Sequence, residues 1–471
     1  MIFLFTYLKI GIWSSIYYFR PSNIIFDIII NNIKKSGPVL IKLIQWSLPK
    51  IEFMYDINHN KRLLFDKLEE LYENCDYHSL KYTEKIYRED FHSEIKDDFI
   101  EIEELASGSI GQVYKLKDDK DNYYALKILH PDINTQIYFF MILFTIIGWI
   151  KPLRQIVNYY FPVDLYSFIK DFQMQSDFIN EANNNLKFYH MYENNPCIII
   201  PKLRKVSKNM ILMDYEKGNT YNYSENSGYM NWKIVSLLKL FSKNNEAIFN
   251  FMHGDLHKGN WKFRKENKDI KLIIYDFGFC WKLPKMINDN LVFLNHVLMD
   301  INISQYTKTI DQKHIENLAG ICRIFTENRA SKDIIYEEIE KLRKNNTMAC
   351  TDPLFFVKLI LNGCRRVNLT LDSYVLSCII AHNQLAGLFK LLVDDNLKDD
   401  KHYNERYVYF QYFSDLINFC ETNNIFLDYL DHLKNEFKAE KEIRNIKFDR
   451  LFSVNEEIEN NQLIKNLCIQ K

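Results

Sequence analysis

The spacing of apolar residues along the chain changes several times, and each change predicts a different element. Up to residue 98, apolar side chains recur at helical spacing, which predicts a helical extension over residues 1–98. Gly37-Pro38 can begin one of its helices, because proline suits a first helical turn. Lys42 and Gln45 then lie three residues apart on one face of that helix. Lys61 to Glu73 is the clearest of the helices that follow.

A change to alternating residues at Phe99 predicts a small antiparallel sheet. Phe99–Leu105 and Gln112–Lys117 alternate between apolar and polar positions, as strands with one buried face do, and Tyr123–Leu129 is predicted as a third strand after a polar turn. Ile198–Ile200 and Met210–Tyr215 are interpreted as its two remaining strands. The first two strands are joined by a predicted turn of small residues, Ala106, Ser107, Gly108, Ser109, Ile110 and Gly111.

A helix containing Asp171–Asn183 is predicted between the third and fourth strands. Gln173, Asp177 and Glu181 are successive i, i+4 neighbours along one of its faces. Lys127 lies inside the apolar third strand, and a buried lysine needs a carboxylate or a phosphate beside it. Glu181 is the candidate partner of Lys127, although most acidic residues on such a helix simply face water.

The polar residues with the most specific spacing lie between residues 251 and 279. Asp255 is followed five residues later by Asn260, and Asp276-Phe277-Gly278 ends the next apolar strand. Phosphoryl transfer from ATP uses one carboxylate to orient or deprotonate the acceptor. It uses an amide oxygen and a second carboxylate to hold Mg²⁺. The spacing therefore predicts Asp255 as the catalytic residue, and Asn260 and Asp276 as ligands of Mg²⁺.

The predicted sheet supplies the opposite wall of a nucleotide site. A loop of small residues lets backbone amides lie over phosphates, and a strand lysine such as Lys127 reaches the α- and β-phosphates of ATP. A turn with glycine is by itself more often a plain hairpin. The chain has only 13 glycines, however, and several of them fall in these motifs, which indicates backbone that approaches a ligand; they are Gly108, Gly111, Gly254, Gly259 and Gly278.

Two apolar stretches could either be buried in the protein or contact a membrane. Residues 1–26 carry only Lys9 and Arg20 as charges, and they are interpreted as an amphipathic or buried helix, or as a membrane-surface anchor or organelle leader. A secretory signal is disfavoured because no small-residue cleavage site follows. Ile137–Ile150 is too short to span a bilayer, which favours a buried or interfacial helix.

Charge and cysteine content narrow the classes of function. The chain has 60 basic and 61 acidic residues, so its charge gives no reason to expect a nucleic-acid partner. Its nine cysteines are dispersed without a CxxC pair, which fits a reducing intracellular compartment. No disulfide-linked partner is expected. From Met286 onward helical patterns dominate, with Tyr374–Val393 as a core helix and Lys434–Asn460 as an exposed one.

In their order along residues 35–285, these motifs resemble those of the UbiB/AarF/ADCK atypical kinases. The matching features are Pro38 with Lys42 and Gln45, the Ala106–Val113 loop, Lys127 with His130-Pro131, Asp177-Phe178 with Glu181-Ala182 and Asn183, and Asp255–Asn260 with Asp276-Phe277-Gly278. The resemblance implies an α+β, protein-kinase-like fold of two lobes. Residues 1–98 would be a helical extension that packs over the nucleotide site, 99–218 a small antiparallel-sheet N-lobe, and 219–471 a helical C-lobe with a helical tail.

The resemblance also implies a set of ligands and roles. ATP and Mg²⁺ are the implied cofactors, and membrane lipid or an isoprenoid is the implied further partner, with a role in ubiquinone or isoprenoid-lipid metabolism and a membrane-associated or mitochondrial location. Lys127 would contact the phosphates and Glu181 would pair with it. Lys42 and Gln45, which could otherwise be ordinary solvated residues, would reach the nucleotide site from the extension.

The chain departs from the family pattern at several positions. Ile44 stands where glycine is expected, Gln175 where glutamate is expected, and Lys258 where proline is usual. The loop reads Ala106-Ser107-Gly108-Ser109 in place of an alanine-rich one, which returns some of the flexibility of a glycine-rich loop.

Three functions remain open from the sequence. The first is an Mg·ATP-dependent atypical kinase or ATPase. The second is a non-catalytic, ATP-gated scaffold that binds lipid through the apolar stretches. The third is a small-molecule kinase of the aminoglycoside or choline type, because His253-Gly254-Asp255-Leu256-His257 with Asn260 also resembles their catalytic loop. The helix of Lys42 and Gln45 and the Asp177–Asn183 stretch count against the third.

Overall fold

The computed structural model describes residues 2–54, 64–68, 78–160, 165–267, 269–285 and 405–435, together with isolated positions between 316 and 441. The described helices are α1 (Ile2–Phe19), α2 (Asn23–Lys34), α3 (Pro38–Met54), α4 (Leu80–Phe91), α5 (Ile95–Asp98), α6 (Ile133–Trp149), α7 (Lys151–Tyr160), α8 (Leu165–Gln175), α9 (Phe178–Tyr192), α10 (Gly228–Asn244) and α11 (Glu405–Asn423). The described strands are β1 (Glu101–Ser107), β2 (Gly111–Lys117), β3 (Tyr123–Leu129), β4 (Ile198–Ile199), β5 (Leu203–Val206), β6 (Met210–Asp214), β7 (Met252–His253), β8 (Trp261–Glu266), β9 (Asp269–Ile274) and β10 (Cys280–Trp281).

The N-terminal extension is helical, as predicted. α3 begins at Pro38, directly after Gly37, whose φ of 97° is in the left-handed region that glycine adopts without strain. Ile41 of α3 packs in an apolar cluster with side chains of α2, and Ile44 packs against the same cluster. The predicted helix over Lys61–Glu73 is described only at residues 64–68, which are helical.

The predicted sheet has five antiparallel strands in the order β1-β2-β3-β6-β5. Lys127 of β3 lies opposite Val113 of β2 on one side and Ile211 of β6 on the other. One face of the sheet is covered by α4 and α5, where Tyr87 and Ile95 are fully buried against apolar strand residues. Sheet and helices occur in separate runs, so the predicted α+β class and its antiparallel lobe are confirmed.

One predicted strand of this sheet was wrong. Ile198–Ile199 forms β4, which pairs in parallel with β9 in a separate three-stranded sheet of order β4-β9-β8. The edge of the large sheet is instead β5, which carries Arg204 and Lys205 and is mostly exposed. Charged residues such as these are common on edge strands. A short run of isoleucines indicates that the strand is buried, but it does not indicate in which sheet.

The predicted helix over Asp171–Asn183 is broken in two. α8 ends at Gln175 and α9 begins at Phe178, and Asp177 between them is the N-cap of α9. Its carboxylate accepts hydrogen bonds from the backbone N–H groups of Ile179 (3.0 Å) and Asn180 (3.3 Å). An aspartate side chain satisfies the first amides of a helix better than it fits a helix interior, so Asp177 starts a new helix.

The small-residue turn is also shorter than predicted. Ala106 and Ser107 are the last residues of β1, where they pair with Val113 and Gln112. The turn itself is therefore Gly108–Ile110. A register irregularity between Glu104 and Ala106 lets β1 continue this far.

The apolar stretches fold as helices with one buried side. In α6, one side is buried through Ile137, Phe140 and Phe144, while Tyr138 and Trp149 are exposed. Tyr7 of α1 contacts the rings of Phe139 and Phe140. Among the described residues, no single helix has the length and apolar character needed to cross a membrane; α6 and Lys151–Tyr159, bent by 101°, meet that test only as a pair.

The chain divides into two compact units. One comprises Met1–Leu237, His253–Trp281 and Leu376–Ala381, and the other comprises Leu238–Met252, Lys282–Val375 and His382–Lys471. The boundaries predicted at residues 98 and 218 divide the chain differently, and they stay predictions. Most of the predicted helices at Tyr374–Val393 and Lys434–Asn460 lies outside the described residues.

Candidate functional site

Lys127 is the centre of a buried cluster of charges. Its Nζ is 2.8 and 2.9 Å from the two carboxylate oxygens of Glu181 on α9, and 3.2 Å from Oδ2 of Asp276. The side chains of Lys127 and Glu181 are only 10% and 3% exposed. The pairing of Lys127 with Glu181 is thus confirmed, and Asp276 joins it from the loop after β9.

This cluster holds two carboxylates around one ammonium group. Burial lowers the pKa of Lys127, but Asp276 and Glu181 outweigh it and hold that pKa above its usual value. Burial raises the pKa of Glu181 to about 7, since Lys127 opposes this effect only in part and Asp276 adds to it. The excess of negative charge makes the cluster attractive to a further cation.

Asp255 lies against the extension. The ammonium of Lys42 on α3 is 2.8 Å from Oδ2 of Asp255, whose side chain is 31% exposed. Burial raises the pKa of this carboxyl, but Lys42 and His257 outweigh that effect and bring it well below its usual value. Asp255 is therefore ionised and held by a cation from the extension.

Hydrogen bonds of His253 and of the backbone connect the segments that carry the predicted catalytic residue and the predicted metal ligands. His253 Nδ1 accepts from the backbone N–H of Asp255 (3.3 Å), and its Nε2 donates to the carbonyl of Tyr275 (3.0 Å). The N–H of Tyr275 donates to the carbonyl of Asn260 (2.9 Å). Asp255, Asn260 and Asp276 are thus positioned by neighbouring parts of one network. His257 Nδ1 accepts from Gly259 N (3.0 Å), so this second histidine also serves the loop.

Asn260 and Asp276 offer oxygen atoms that suit Mg²⁺. The amide nitrogen of Asn260 donates to the carbonyl of Asp255 (2.7 Å), so its amide oxygen is the atom that it can offer to a cation. Asp276 has a φ of 54°, and its Oδ1 accepts from Gly278 N (3.2 Å). One amide and one carboxylate are a donor set typical of Mg²⁺ held on phosphates. Among the described residues, no group of three or more His, Cys, Asp or Glu forms a separate metal site.

The nucleotide loop, defined here as Ser107–Gly111, is contacted by the extension. Ser109 Oγ donates to Oε1 of Gln45 (3.0 Å), and Gly108 N donates to the carbonyl of Gly111 (3.0 Å). A Cβ atom at Gly111 would lie 2.4 Å from the carbonyl oxygen of Ile128, so the backbones come very close there. Lys42 and Gln45 therefore reach two different parts of the predicted site. Ala106, also predicted to bind nucleotide, is exposed at the end of β1.

Several residues that support the site were missed from the sequence. Asn184 of α9 donates to the carbonyl of Phe277 (3.0 Å), which ties the helix of Glu181 to the segment that follows Asp276. The hydroxyl of Tyr275 donates to the carbonyl of Glu216 (2.7 Å). A signal existed for Asn184, because three consecutive asparagines inside a helix are poor helix formers and need another reason. No signal in the sequence connects Tyr275 with Glu216.

Comparisons with known proteins point in the same direction. The family model for the ABC1 atypical kinase-like domain matches residues 70–310. A probable serine/threonine-protein kinase, abkC, of Dictyostelium discoideum is 26% identical over 52% of this chain and 36% of its own length. AarF domain-containing protein kinase 1 of Gallus gallus is 28% identical over 41% of this chain and 39% of its own length. The chain thus spans less than half the length of these relatives.

Among solved structures, the Rv3197–erythromycin complex from Mycobacterium tuberculosis is similar at a TM-score of 0.41 and 16% identity. The similarity covers 61% of this chain and 80% of that chain. It is too loose to carry an argument about ligands or activity.

Proposed function

The chain belongs to the ABC1 atypical kinase-like family, and from this premise we propose that it binds Mg·ATP and either transfers its γ-phosphoryl group or hydrolyses it. The observation that supports this most directly is the buried cluster of Lys127 with Glu181 and Asp276. A structural ion pair would need one carboxylate, whereas this ammonium has two. The second carboxylate, Asp276, is the group that would bind a metal ion.

In the proposed site, Lys127 would bind the α- and β-phosphates of the nucleotide, and Glu181 would keep its ammonium in place. The turn Gly108–Ile110 would lie over the phosphates and offer backbone N–H groups to them. Asn260 and Asp276 would hold Mg²⁺, which when bound neutralises charge on the phosphates. Asn260 is held by backbone hydrogen bonds to His257 and Tyr275, and Oδ1 of Asp276 accepts from the N–H of Gly278.

Asp255 would orient the acceptor hydroxyl or water and take up its proton. Its carboxylate is ionised in the structure and lies on Lys42 at 2.8 Å. Paired in this way it is a weak base, because a nearby cation stabilises the unprotonated form. Catalysis would therefore require that Lys42 leave Asp255, and the phosphates of a nucleotide are an alternative partner for this ammonium.

We propose that membrane lipid, or an isoprenoid dissolved in a membrane, is the further partner of the chain. The exposed apolar side chains of α1, α6 and α7 support this; they include Phe5, Leu8, Ile12, Tyr138, Ile142, Ile146, Trp149, Leu153, Ile156 and Tyr159. The charges beside them are basic, with Lys9, Arg20, Lys151 and Arg154 exposed. A mitochondrial ABC1 family protein of Saccharomyces cerevisiae is 28% identical over 50% of this chain and 39% of its own length, and we propose a mitochondrial or other membrane surface as the location.

The experiment that tests the ATP site compares nucleotide binding and turnover in purified variants. Calorimetry with Mg·ATP and release of phosphate with and without lipid vesicles should be measured for the native chain, Asp276→Asn, Asp255→Asn and the exposed control Asp119→Asn. We expect Asp276→Asn to weaken Mg²⁺-dependent binding and Asp255→Asn to bind normally but lose turnover by about 100-fold or more. The control should match the native chain.

The outcomes separate the three functions. If the native chain binds no Mg·ATP, the proposal fails at its first step. If it binds Mg·ATP but turns over nothing with or without vesicles, the non-catalytic scaffold is the better description. If an aminoglycoside or choline accepts phosphate from ATP and vesicles have no effect, the small-molecule kinase is supported instead.

A further inference from the structure

His130 holds the nucleotide loop from the end of strand β3. Its backbone N–H donates to the carbonyl of Ile110 (3.0 Å). Its side-chain Nε2 is 2.9 Å from the carbonyl oxygen of Gly108, and 3.4 Å from Oγ of Ser107. The residue is buried, with only 8% of its surface exposed. His130 therefore contacts the loop through both its backbone and its imidazole ring. It is not one of the residues assigned to the phosphates or to the metal ion.

A second histidine lies behind the first. Nδ1 of His78 is 2.9 Å from Nδ1 of His130, with the two rings nearly perpendicular at 86°. Nε2 of His78 is 3.0 Å from Oγ1 of Thr83, which lies 2.9 Å from the hydroxyl of Tyr114. Gln112 closes this network, because its Nε2 donates to the Tyr114 hydroxyl (2.7 Å) and its Oε1 accepts from the backbone N–H of His78 (2.9 Å).

The direction of the hydrogen bonds between Thr83 and the loop follows from the carbonyl of Gly108 and from the neutral state of the two rings. A carbonyl oxygen only accepts, so Nε2 of His130 carries the proton that meets Gly108. In a neutral imidazole, Nδ1 of His130 is then an acceptor, and Nδ1 of His78 must carry a proton to reach it. Nε2 of His78 is left as the acceptor for the hydroxyl of Thr83. Protons thus point from Thr83 through both histidines toward the loop.

Both rings are neutral in this arrangement. Burial lowers the pKa of His78 to about 4, and the neighbouring His130 adds to this. Burial also lowers the pKa of His130, although its hydrogen bond to Gly108 opposes the effect. A second proton on His130 would place two N–H groups against each other across the 2.9 Å contact between the Nδ1 atoms. A second proton on His78 would place an N–H group against the hydroxyl proton that Thr83 offers to Nε2. The network therefore has one consistent set of protons near neutral pH.

The hydrogen bond to Gly108 has a consequence for the face that the loop offers to an anion. In a trans peptide, the carbonyl and the following N–H point in opposite directions. When His130 holds the carbonyl of Gly108, the N–H of Ser109 is directed to the other side of the same peptide plane. A flipped peptide would turn the carbonyl oxygen that way instead, and its negative end would repel a phosphate.

We propose that His78 and His130 are positioning residues that fix the Gly108–Ser109 peptide with its N–H toward a nucleotide phosphate, which rests on the proposed ATP site. Neither residue touches the nucleotide in this proposal. His130 acts through the loop, and His78 acts through His130 by fixing which of its nitrogens carries the proton.

The tautomers can be measured without any nucleotide. Long-range ¹H–¹⁵N spectra of native protein labelled with ¹⁵N-histidine distinguish a protonated Nδ1 from a protonated Nε2. We expect His130 as the Nε2–H tautomer and His78 as the Nδ1–H tautomer, with each signal assigned by its loss in a single variant. His78 as Nε2–H, or either ring charged at pH 7, would overturn the proposal.

Replacing each histidine by Asn or by Gln gives a second test, because the replacement that keeps the donor differs between His130 and His78. Gln places its amide nitrogen near the Nε2 position of histidine, and Asn places it near Nδ1. His130→Gln should therefore keep a donor for Gly108, whereas His130→Asn should lose it. At residue 78, His78→Asn should keep a donor toward His130, whereas His78→Gln should lose it. His190, which is exposed on α9, provides the matched controls His190→Asn and His190→Gln.

We expect the Kd for Mg·ATP to rise about five- to tenfold in His130→Asn and His78→Gln, which is typical for the loss of one hydrogen bond. The other two variants should stay within about twofold, and KM should rise without a matching fall in kcat. Equal effects of Asn and Gln at each position, in variants whose unfolding midpoints match the native one, would contradict the proposal. A native chain that binds no Mg·ATP would instead refute the ATP site, while the spectra would still report the tautomers.

Discussion

Lys127, Glu181 and Asp276 carry a net negative charge in a place with little water, and this imbalance controls the behaviour of each residue. Glu181 is buried and shares its cation with a second carboxylate, so its proton is held more tightly than in water. Asp276 is more exposed, at 37% of its side chain, and keeps a lowered pKa because Lys127 and Lys42 outweigh its burial. The two carboxylates are therefore unequal, and Asp276 is the one that stays ionised and more exposed.

A pH dependence of stability follows for Glu181. Its pKa is raised from an ordinary value of 4.5 to about 7, so the folded chain binds this proton more tightly than the unfolded chain. The resulting stabilisation is fully present below pH 4.5 and is lost as the pH rises to 7. Glu181→Gln lacks this titration, so the native stability relative to the variant should fall between pH 5 and 7. Unfolding midpoints at several pH values measure this, and Glu193→Gln at the exposed end of the helix should show no such trend.

Two glycines of the nucleotide loop should respond differently to alanine. A Cβ at Gly111 meets the carbonyl oxygen of Ile128 at 2.4 Å, whereas a Cβ at Gly108 meets nothing closer than 3.7 Å. We expect Gly111→Ala to lower the free energy of unfolding by about 2 kcal/mol, because backbone must move to admit the methyl group. Gly108→Ala should change it by less than about 0.5 kcal/mol. Denaturant unfolding followed by tryptophan fluorescence would show this, and equal losses would mean that the close approach is not rigid.

At the scale of elements, α3 is the part of the extension that enters the site. Lys42 and Gln45 are three residues apart and contact Asp255 and Ser109, so one helical face reaches both the loop that carries Asp255 and the Ser107–Gly111 loop. Gly37, which directly precedes this helix, lies so close to the side chain of Gln136 on α6 that an added Cβ would be 2.4 Å from its amide nitrogen. The position of α3 is thus tied to the apolar helix α6 as well as to the site.

Removal of the lysine on α3 should release Asp255. An ion pair of this exposure is worth about 1 kcal/mol, so Lys42→Met should raise the unpaired population of Asp255 about fivefold. We expect turnover of Mg·ATP to rise by a similar factor, with a smaller loss of ATP affinity than in Lys127→Met. Steady-state kinetics of phosphate release measure both quantities. Lys35→Met, which changes an exposed lysine just before α3, is the control, and lower turnover in Lys42→Met alone would show that Lys42 assists catalysis instead.

At the scale of the whole molecule, the apolar surface and the candidate site belong to the same compact unit. Helices α1, α6 and α7 expose large apolar side chains. The stretches that contain these helices, residues 1–26 and 133–163, have no acidic residue in their sequence. Exposed apolar area of this extent, with basic residues beside it, is typical of a surface that rests on an anionic membrane.

The chain should therefore sediment with vesicles that contain an anionic lipid. Trp149→Glu and Ile156→Glu place a charge on the exposed face of α6 and on α7, where Trp149 is 82% and Ile156 57% exposed. We expect each to reduce the bound fraction about tenfold, because it costs free energy to move a carboxylate from water into a bilayer. Ile100→Glu, at an exposed apolar position outside these helices, should bind as the native chain does. Equal binding by all variants would show that these helices are not the membrane surface.

Much of the fold could be predicted because its signals are local. The predicted strands that became β1 and β2 alternate within seven residues, β3 and β6 are short and mostly apolar, and α3 begins at the proline that marks it. The pairing of Lys127 with Glu181 was also accessible, because a charge inside an apolar strand requires a partner and few carboxylates lie on a nearby helix. The strands and the start of α3 depend on neighbouring residues, so the sequence by itself determined them. Glu181 lies 54 residues from Lys127 and was predicted from the chemical need of a buried lysine, not from a local pattern.

Other features were decided only by the tertiary structure. Lys42 and Asp255 are 213 residues apart, and His78 and His130 are 52 apart, so no local pattern could pair them. The same holds for Ile198–Ile199, whose burial was evident while its sheet was not. The physical reason is that periodicity reports which side chains avoid water, whereas the partner of each side chain depends on which distant segments pack against it. The residues that we propose for Mg·ATP were thus predicted from the sequence, whereas their present partners depend on packing.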